Sequence, residues 1–537
     1  MNIRREYYFF LLVVLVNLAP ILFLKYYPSL DGPAHLYNSN LINHLLIGND
    51  FLKEFFVFNK DVVPNWTGHV VLCFFNLFLP AFIAEKIFLL SYALGFIFSI
   101  RNIINHFTPE NKWLSYLVFP LLHSNFLFHG FYNFLGGIVL ILICFLLWLT
   151  YEKSGWTLKR KIAFYFAILS LYFAHIFMFQ LFLMLMALTI ATNAIQEAAL
   201  ENGGFKKFIY VVFKKLYLLL PAIIIPIGLG IYFILFRYNP EGAVVFVPHE
   251  ELNTWIKIIR PIIGMAIEKE EAYTTKIFYC LFALSCIAVY IRINNAPFTG
   301  NTLSKKIISF LNGFINAKDI FILFALVLLY LYYILPDWQG VAGYMSLRLG
   351  LLFFIFWSLW LAVQAFPKWL SIACAVIILF FSFQRLFYLS KGSWHLNELA
   401  IECESISKSI EPNSIVLPLN YSDNWLHVHF SNYLAVDKPI VVLENYEASV
   451  DFFPLQWNTG QIPPLQVGNM DLANLPCSNW TWSHAVNKAS KNVDYIFLLR
   501  EELAPSDSCT QQLQREIKNH YSLLASTKTC KLYKLNN

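Results

Sequence analysis

The 537-residue chain is 58% hydrophobic and only 13% charged, with a mean hydropathy of +0.56, whereas soluble domains carry about a quarter charged residues. That composition excludes a soluble globular protein. The net charge of +6 comes from basic residues in short loops between apolar runs, so it is a topology signal and not a nucleic-acid-binding face.

Met1-Asn2-Ile3-Arg4-Arg5-Glu6 leads into an apolar run from Tyr7 to Leu24, long enough for a bilayer that needs roughly 20 residues. The flank Lys25-Tyr26-Tyr27-Pro28 offers no small-residue cleavage site, which predicts a retained first helix and not a removed signal peptide. Further spans are predicted at 83–101, 113–128, 131–151, 161–176, 178–196, 216–236, 276–293, 319–335, 346–366 and 369–389, about eleven in all with the first. Alternate loops then collect the basic residues: Arg101 with Lys112, Lys153 to Lys161, Lys206 to Lys215, Arg292 with Lys305, Lys306 and Lys318, and Lys368. All fall inside when the N-terminus is cytoplasmic, so an odd helix count puts residues 390–537 outside. The expectation is a multi-pass cell (inner) membrane protein of α-helical class, with a transmembrane region over 1–389 and a soluble extracytoplasmic α/β domain over 390–537.

Residues 67–101 are mostly apolar but carry Pro80 and Glu85-Lys86. Two crossings there would invert every later loop, so one crossing at 83–101 preceded by an interfacial helix at about 67–79 is predicted. The first outer loop then runs over 26–82, a length that points to function.

In the tail, Trp394 to Ile410 has helical spacing, while Ser414 to Leu419, Pro439 to Leu443 and Val493 to Leu499 are predicted buried strands. A helix over Thr510 to Asn519 and strands near Leu523 and Leu532 complete the pattern. Cys403, Cys477, Cys509 and Cys530 lie in this tail. An even number outside the cytoplasm allows two disulfides in three connectivities, against free buried thiols.

The long loop opens with Asp31-Gly32-Pro33-Ala34-His35 before a helical run to Leu46. Asp31 suits an N-cap, worth about 1 kcal/mol. It is also a carboxylate just beyond the hydrocarbon, where low dielectric raises its pKa and equips it to take a proton from a sugar hydroxyl. The two roles are compatible.

A first helix, a long outer loop opening on an acid, an interfacial helix, many more crossings and a soluble C-terminal domain together resemble the GT-C superfamily. That superfamily includes protein mannosyltransferases, the lipid A aminoarabinose transferase and oligosaccharyltransferases. Relatives commonly carry Asp-Glu or Glu-x-Asp where this chain has Asp31-Gly32, so only the first acidic role carries over, to Asp31 as general base. Pro64-Asn65-Trp66-Thr67-Gly68-His69 resembles the later part of the same loop in the lipid A-modifying relatives. The resemblance implies an inverting glycosyltransferase with a polyprenyl-phosphate sugar donor and a glycan, lipid or protein acceptor at the outer face.

A departing lipid phosphate needs a cation, either a metal or a fixed side chain. Arg348, at the outer end of a span and against the positive-inside trend, is the candidate; snorkelling to headgroups or pairing with Asp337 are its plainer uses. His35, His69, His123, His129 and His175 gather at the same predicted face. His35 lies one turn after Asp31, and His129 and Asn133 lie in the second outer turn, which in relatives helps line the active site. No ligand spacing for a metal is visible, so no cofactor is assigned; a divalent metal bound by Asp31 with histidine is the one the residues could supply. Glu250, Glu251, Glu268, Glu270 and Glu271 read first as solvated loop charges, with a second acid or acceptor contacts as their alternative use, and Trp425, Trp457, Trp480 and Trp482 as packed aromatics or sugar-stacking platforms. Asn65-Trp66-Thr67 and Asn479-Trp480-Thr481 are glycosylation sequons. The rival functions are a transporter or flippase of a lipid-linked glycan, and a non-catalytic envelope assembly protein. Charge-poor mid-span positions argue against the transporter.

Overall fold

In the computed structural model, which describes residues 3–201, 203–238, 242–296, 316–340, 342–450, 452–458 and 493–536, nine described helices are long and apolar enough to cross a membrane. They coincide with nine of the predicted spans. The chain is a polytopic, mostly helical membrane protein. The other two spans take different forms. Leu158–Ala174 is a shorter helix of 17 residues. Residues 113–128 are not one continuous helix but a 3-10 turn, Lys112–Val118, followed by short helices Phe119–Leu122 and Asn125–His129. Pro120 opens the first of these and His123 leaves the helical region at its end, so the main chain cannot continue its hydrogen-bond ladder. Lys305, Lys306, Cys477, Trp480, Trp482 and the Asn479 sequon lie outside the described residues, as does the side chain of Cys509.

The chain divides into two compact units. The first comprises residues 1–91, 127–133 and 390–537, the second residues 92–126 and 134–389.

In the first unit, α1 (Ile3–Phe23), α2 (Gly32–Leu46), α3 (Asp50–Phe55) and α4 (Thr67–Asn76) precede α5 (Ala81–Phe107). The ten-residue apolar α4 stands where the interfacial helix is predicted. Its sheet is built from β1 (Ile415–Asn420), β2 (Val441–Val442), β3 (Tyr495–Leu499), β4 (Tyr521–Ser526) and β5 (Cys530–Leu535), in the order β2-β1-β3-β5-β4. β1 runs parallel to both β2 and β3, while β5 is antiparallel to β3 and β4. β3 and most of β1 are buried, as expected for strands covered on both faces. The helix predicted from Trp394 is not separate: Lys368–Ser407 is one 40-residue helix, because nothing between residues 389 and 394 breaks it. A second pairing sets Phe56–Phe58 against Leu455–Trp457, with Phe56 stacked on Trp457 at 4.4 Å.

α2 is buried on nearly every side although its sequence is rich in asparagine. The tail supplies the partners that make this affordable. The Tyr37 hydroxyl donates to Ile440 O and accepts from Val442 N, both at 2.9 Å. Asn38 and Asn445 exchange amide hydrogen bonds at 2.8 and 3.0 Å, and the Asn40 amide donates to Ala435 O and Lys438 O.

In the second unit the helix Met345–Ala362 is almost wholly buried and packs along Ile320–Ile334. The bend at residues 119–124 is held by Arg385, which donates to Pro120 O, His123 O and Ile262 O and pairs with Glu270 at 2.9 Å. Glu270 in turn accepts from the amides of Gly264, Met265 and Ala266. The sequence reading of Glu270 as a solvated loop charge is corrected: it is fully buried.

Candidate functional site

Asp31 occupies the N-cap position of α2, yet its side chain makes no cap hydrogen bond. The main chain around it is fixed by other means. Leu30 N and Asp31 N donate to Phe128 O and His129 O at 2.8 and 3.0 Å. Gly130 has φ +74°, and a Cβ there would come within 2.7 Å of Gly32 N, so this approach of two backbones requires glycine. A Cβ on Gly32 would stand 2.3 Å from Ser29 Oγ, 2.8 Å from Tyr132 Oη and 3.0 Å from Glu85 Oε1. A side chain at position 32 would therefore be crowded from three sides.

Freed from capping, the Asp31 carboxylate faces the tail. Its Oδ1 lies 3.8 Å from His429 Nε2, and the Tyr446 hydroxyl works to lower its pKa. His429 Nδ1 contacts Glu444 Oε1, and its ring stacks on Tyr446 with centroids 4.5 Å apart. Glu444 is buried and also accepts from Ser431 Oγ at 2.8 Å and Asn432 Nδ2 at 2.6 Å. Burial pushes the Asp31 carboxyl up, against the opposing pull of His429 and His35, to about 6. Burial works to lower His429, but Glu444, joined by Asp31 and Glu447, holds it above its ordinary value.

Beside this lies a second cluster. His35 Nδ1 is 2.5 Å from Glu447 Oε1, and His69 Nε2 is 2.7 Å from Glu447 Oε2. All three are buried, and they form the one group among the described residues whose donor atoms could converge on a metal ion. The His35 Nε2–H donates to Gly130 O at 3.0 Å, which turns Nδ1 towards Glu447. Neither His35 Nδ1 nor Glu447 Oε1 has a hydrogen-bond partner of acceptable geometry. A ligating histidine fixed by a backbone carbonyl through its other nitrogen is the arrangement metal sites use, so the donor set fits a divalent cation. Burial works to raise Glu447, but His35 and His69 hold it down to about 2.

Glu85 completes the surroundings. It is fully buried and accepts from the Tyr132 hydroxyl at 2.6 Å; the Tyr132 ring lies 5.0 Å from that of His35.

The remaining predicted site residues divide. His129 is buried with its ring 4.8 Å from Trp425. Asn133 accepts from Gly68 N at 2.7 Å and donates to Asn65 O at 2.8 Å, clamping the turn that starts α4. Arg348 belongs to the second unit, where Nη1 meets His175 Nε2 at 2.6 Å and the guanidinium lies 5.1 Å from the Phe134 ring.

Sequence reasoning missed His429, Glu444, Tyr446 and Glu447. A signal existed. Glu444-Asn445-Tyr446-Glu447 follows β2 directly, and His429 lies in the segment after β1. Parallel strands of open α/β sheets place ligand-binding groups beyond their carboxyl ends.

No family model and no curated protein sequence matches the chain. Solved structures do. The apo structure of ArnT from Cupriavidus metallidurans, a GT-C lipid A aminoarabinose transferase, aligns with a TM-score of 0.50 at 8% identity, covering 98% of each chain. The same protein bound to undecaprenyl phosphate aligns with a TM-score of 0.51 at 8% identity, covering 99% of this chain and 98% of that one. Fold, and not sequence, is what the two proteins share: this chain has a GT-C-like fold over nearly its whole length.

Proposed function

We propose that the chain is a GT-C-type glycosyltransferase that moves a sugar from a polyprenyl-phosphate donor to an acceptor hydroxyl at the outer face of the membrane. The observation that carries this is Asp31: a buried carboxylate, free of capping duty and held by Tyr446 and His429, in a fold like that of a protein solved with undecaprenyl phosphate bound.

In this reading the acceptor oxygen attacks the anomeric carbon while Asp31 takes its proton. The bond to the lipid phosphate breaks on the opposite side, which inverts the centre. A base poised about 6 is ionised at neutral pH yet basic enough to share the proton in the transition state. His429, held by Glu444, compensates the charge of Asp31 before the transfer. Arg348 is assigned to the lipid phosphate, where a planar fork of donors suits the anion. His35, His69 and Glu447 would hold a divalent cation, which when bound supplies positive charge for an anionic group.

Asp31→Asn in reconstituted protein should lower transfer by ~10²–10⁴-fold with the fold intact. Unchanged transfer would remove Asp31 as the base, while absence of transfer by the parent protein would leave the flippase or the assembly protein. Arg348→Ala should raise the donor requirement far more than the acceptor requirement; equal effects would remove Arg348 from the phosphate.

A further inference from the structure

The end of the 40-residue helix carries a feature that transfer does not use. Roughly 20 residues of helix cross a hydrocarbon core, and the apolar stretch of Lys368–Ser407 is exhausted near residue 389. Beyond it, Glu402 accepts from Thr527 Oγ1 at 3.0 Å, Thr529 Oγ1 at 2.6 Å and Thr529 N at 3.2 Å. These bonds pin the helix to the turn between β4 and β5. Held in register by that clamp, Cys403 and Cys530 are both completely buried, with sulfurs 3.5 Å apart. They are free thiols in van der Waals contact.

We propose that Cys403 and Cys530 are joined as a disulfide in the mature protein. Formation proceeds by thiol–disulfide exchange with a disulfide-bearing oxidant of the extracytoplasmic space. The Cys530 thiolate attacks the oxidant's disulfide, forming a mixed disulfide and releasing one thiolate of the oxidant. The Cys403 thiolate then attacks the Cys530 sulfur and releases the second. Two protons leave the protein thiols and two electrons pass to the oxidant. Since both sulfurs are buried in the folded chain, exchange precedes closure of the unit, and the finished bond is shielded from reductant. The loop it closes contains His429, Glu444, Tyr446 and Glu447, every tail residue of the candidate site. The proposal rests on the tail facing the extracytoplasmic side.

The experiment uses the full chain in its native membrane. Free thiols are alkylated in denaturant without reductant, and the digest is read by mass spectrometry before and after reduction. The expected result is one cross-linked pair of peptides holding Cys403 and Cys530, separated by reduction, and resistance of the bond to mild reductant until the protein is denatured. A lower thermal midpoint is expected for the Cys403→Ala/Cys530→Ala double variant. Recovery of both residues alkylated, or of either linked to Cys477 or Cys509, would overturn the pairing. A membrane-impermeant amine reagent on intact cells separates the two ways to fail. Labelling of the exposed Lys518 together with free thiols sinks the disulfide alone, while an unlabelled tail sinks the topology and the disulfide with it.

Discussion

Two buried carboxylates show how differently the chain uses the same group. Glu270, in the second unit, has both oxygens committed: three backbone amides and Arg385 Nε take them up, and Arg385 gives its remaining donors to carbonyls at the bend. Glu447, in the first unit, meets two imidazoles among the described residues, and its Oε1 stands opposite a His35 nitrogen without hydrogen-bond geometry. The first arrangement closes on itself and holds a bent main chain in place. The second leaves lone pairs converging on a point. Burial alone therefore does not separate a structural carboxylate from a ligand; the inventory of committed donors does.

The largest test of that contrast is Arg385→Ala. It strands Glu270 and the bend carbonyls, and should lower stability by about 3–5 kcal/mol, read as lost monodisperse protein or a much reduced thermal midpoint. Normal yield and midpoint would mean that the pair is not what holds the bend. Glu447→Gln should do the reverse: the protein folds, but metal content by elemental analysis drops, and chelator treatment of the parent protein reproduces the loss of transfer. Equal metal in parent and variant would leave the cluster as an ion-paired histidine pair. Gly32→Ala comes next. Its Cβ meets Ser29 Oγ at 2.3 Å, so overpacking should cost about 1–3 kcal/mol, measured by thermal unfolding.

The smallest effect is on pH. Asp31 must be ionised to accept a proton, and its carboxyl is pushed up to about 6. Transfer should fall as pH drops through that value, by about tenfold per unit below it. His429 pulls the value down, so His429→Gln should move this acid limb to higher pH while activity on the alkaline plateau is largely retained. An unmoved limb would detach His429 from Asp31.

The layout of the fold was legible because apolar run length and basic loop charge are strong one-dimensional signals. Nine spans, the interfacial helix and all five sheet strands stand close to their predicted places. Residues 113–128 were misread because hydropathy does not register a break held together by a distant arginine. Asp31 and His35 could be picked out because an acid and a histidine one turn apart in a long segment between apolar runs are visible locally. Glu444, Tyr446 and Glu447 reach them from about four hundred residues away, a proximity created by tertiary packing against α2. Gly32 itself is crowded by Ser29, Tyr132 and Glu85, and the carboxylates near Asp31 and His35 come from the tail.

That long reach has a consequence for biosynthesis. Every pairing that completes the site joins residues 31–69 to residues 429–447, so no cotranslational intermediate containing only the early helices has it. At about 5–20 residues per second, the Asp31 loop waits on the order of half a minute or more, exposed at the membrane, before the segment that completes it is made. The candidate site therefore does not exist in the nascent protein until the last third of the chain has been delivered and folded.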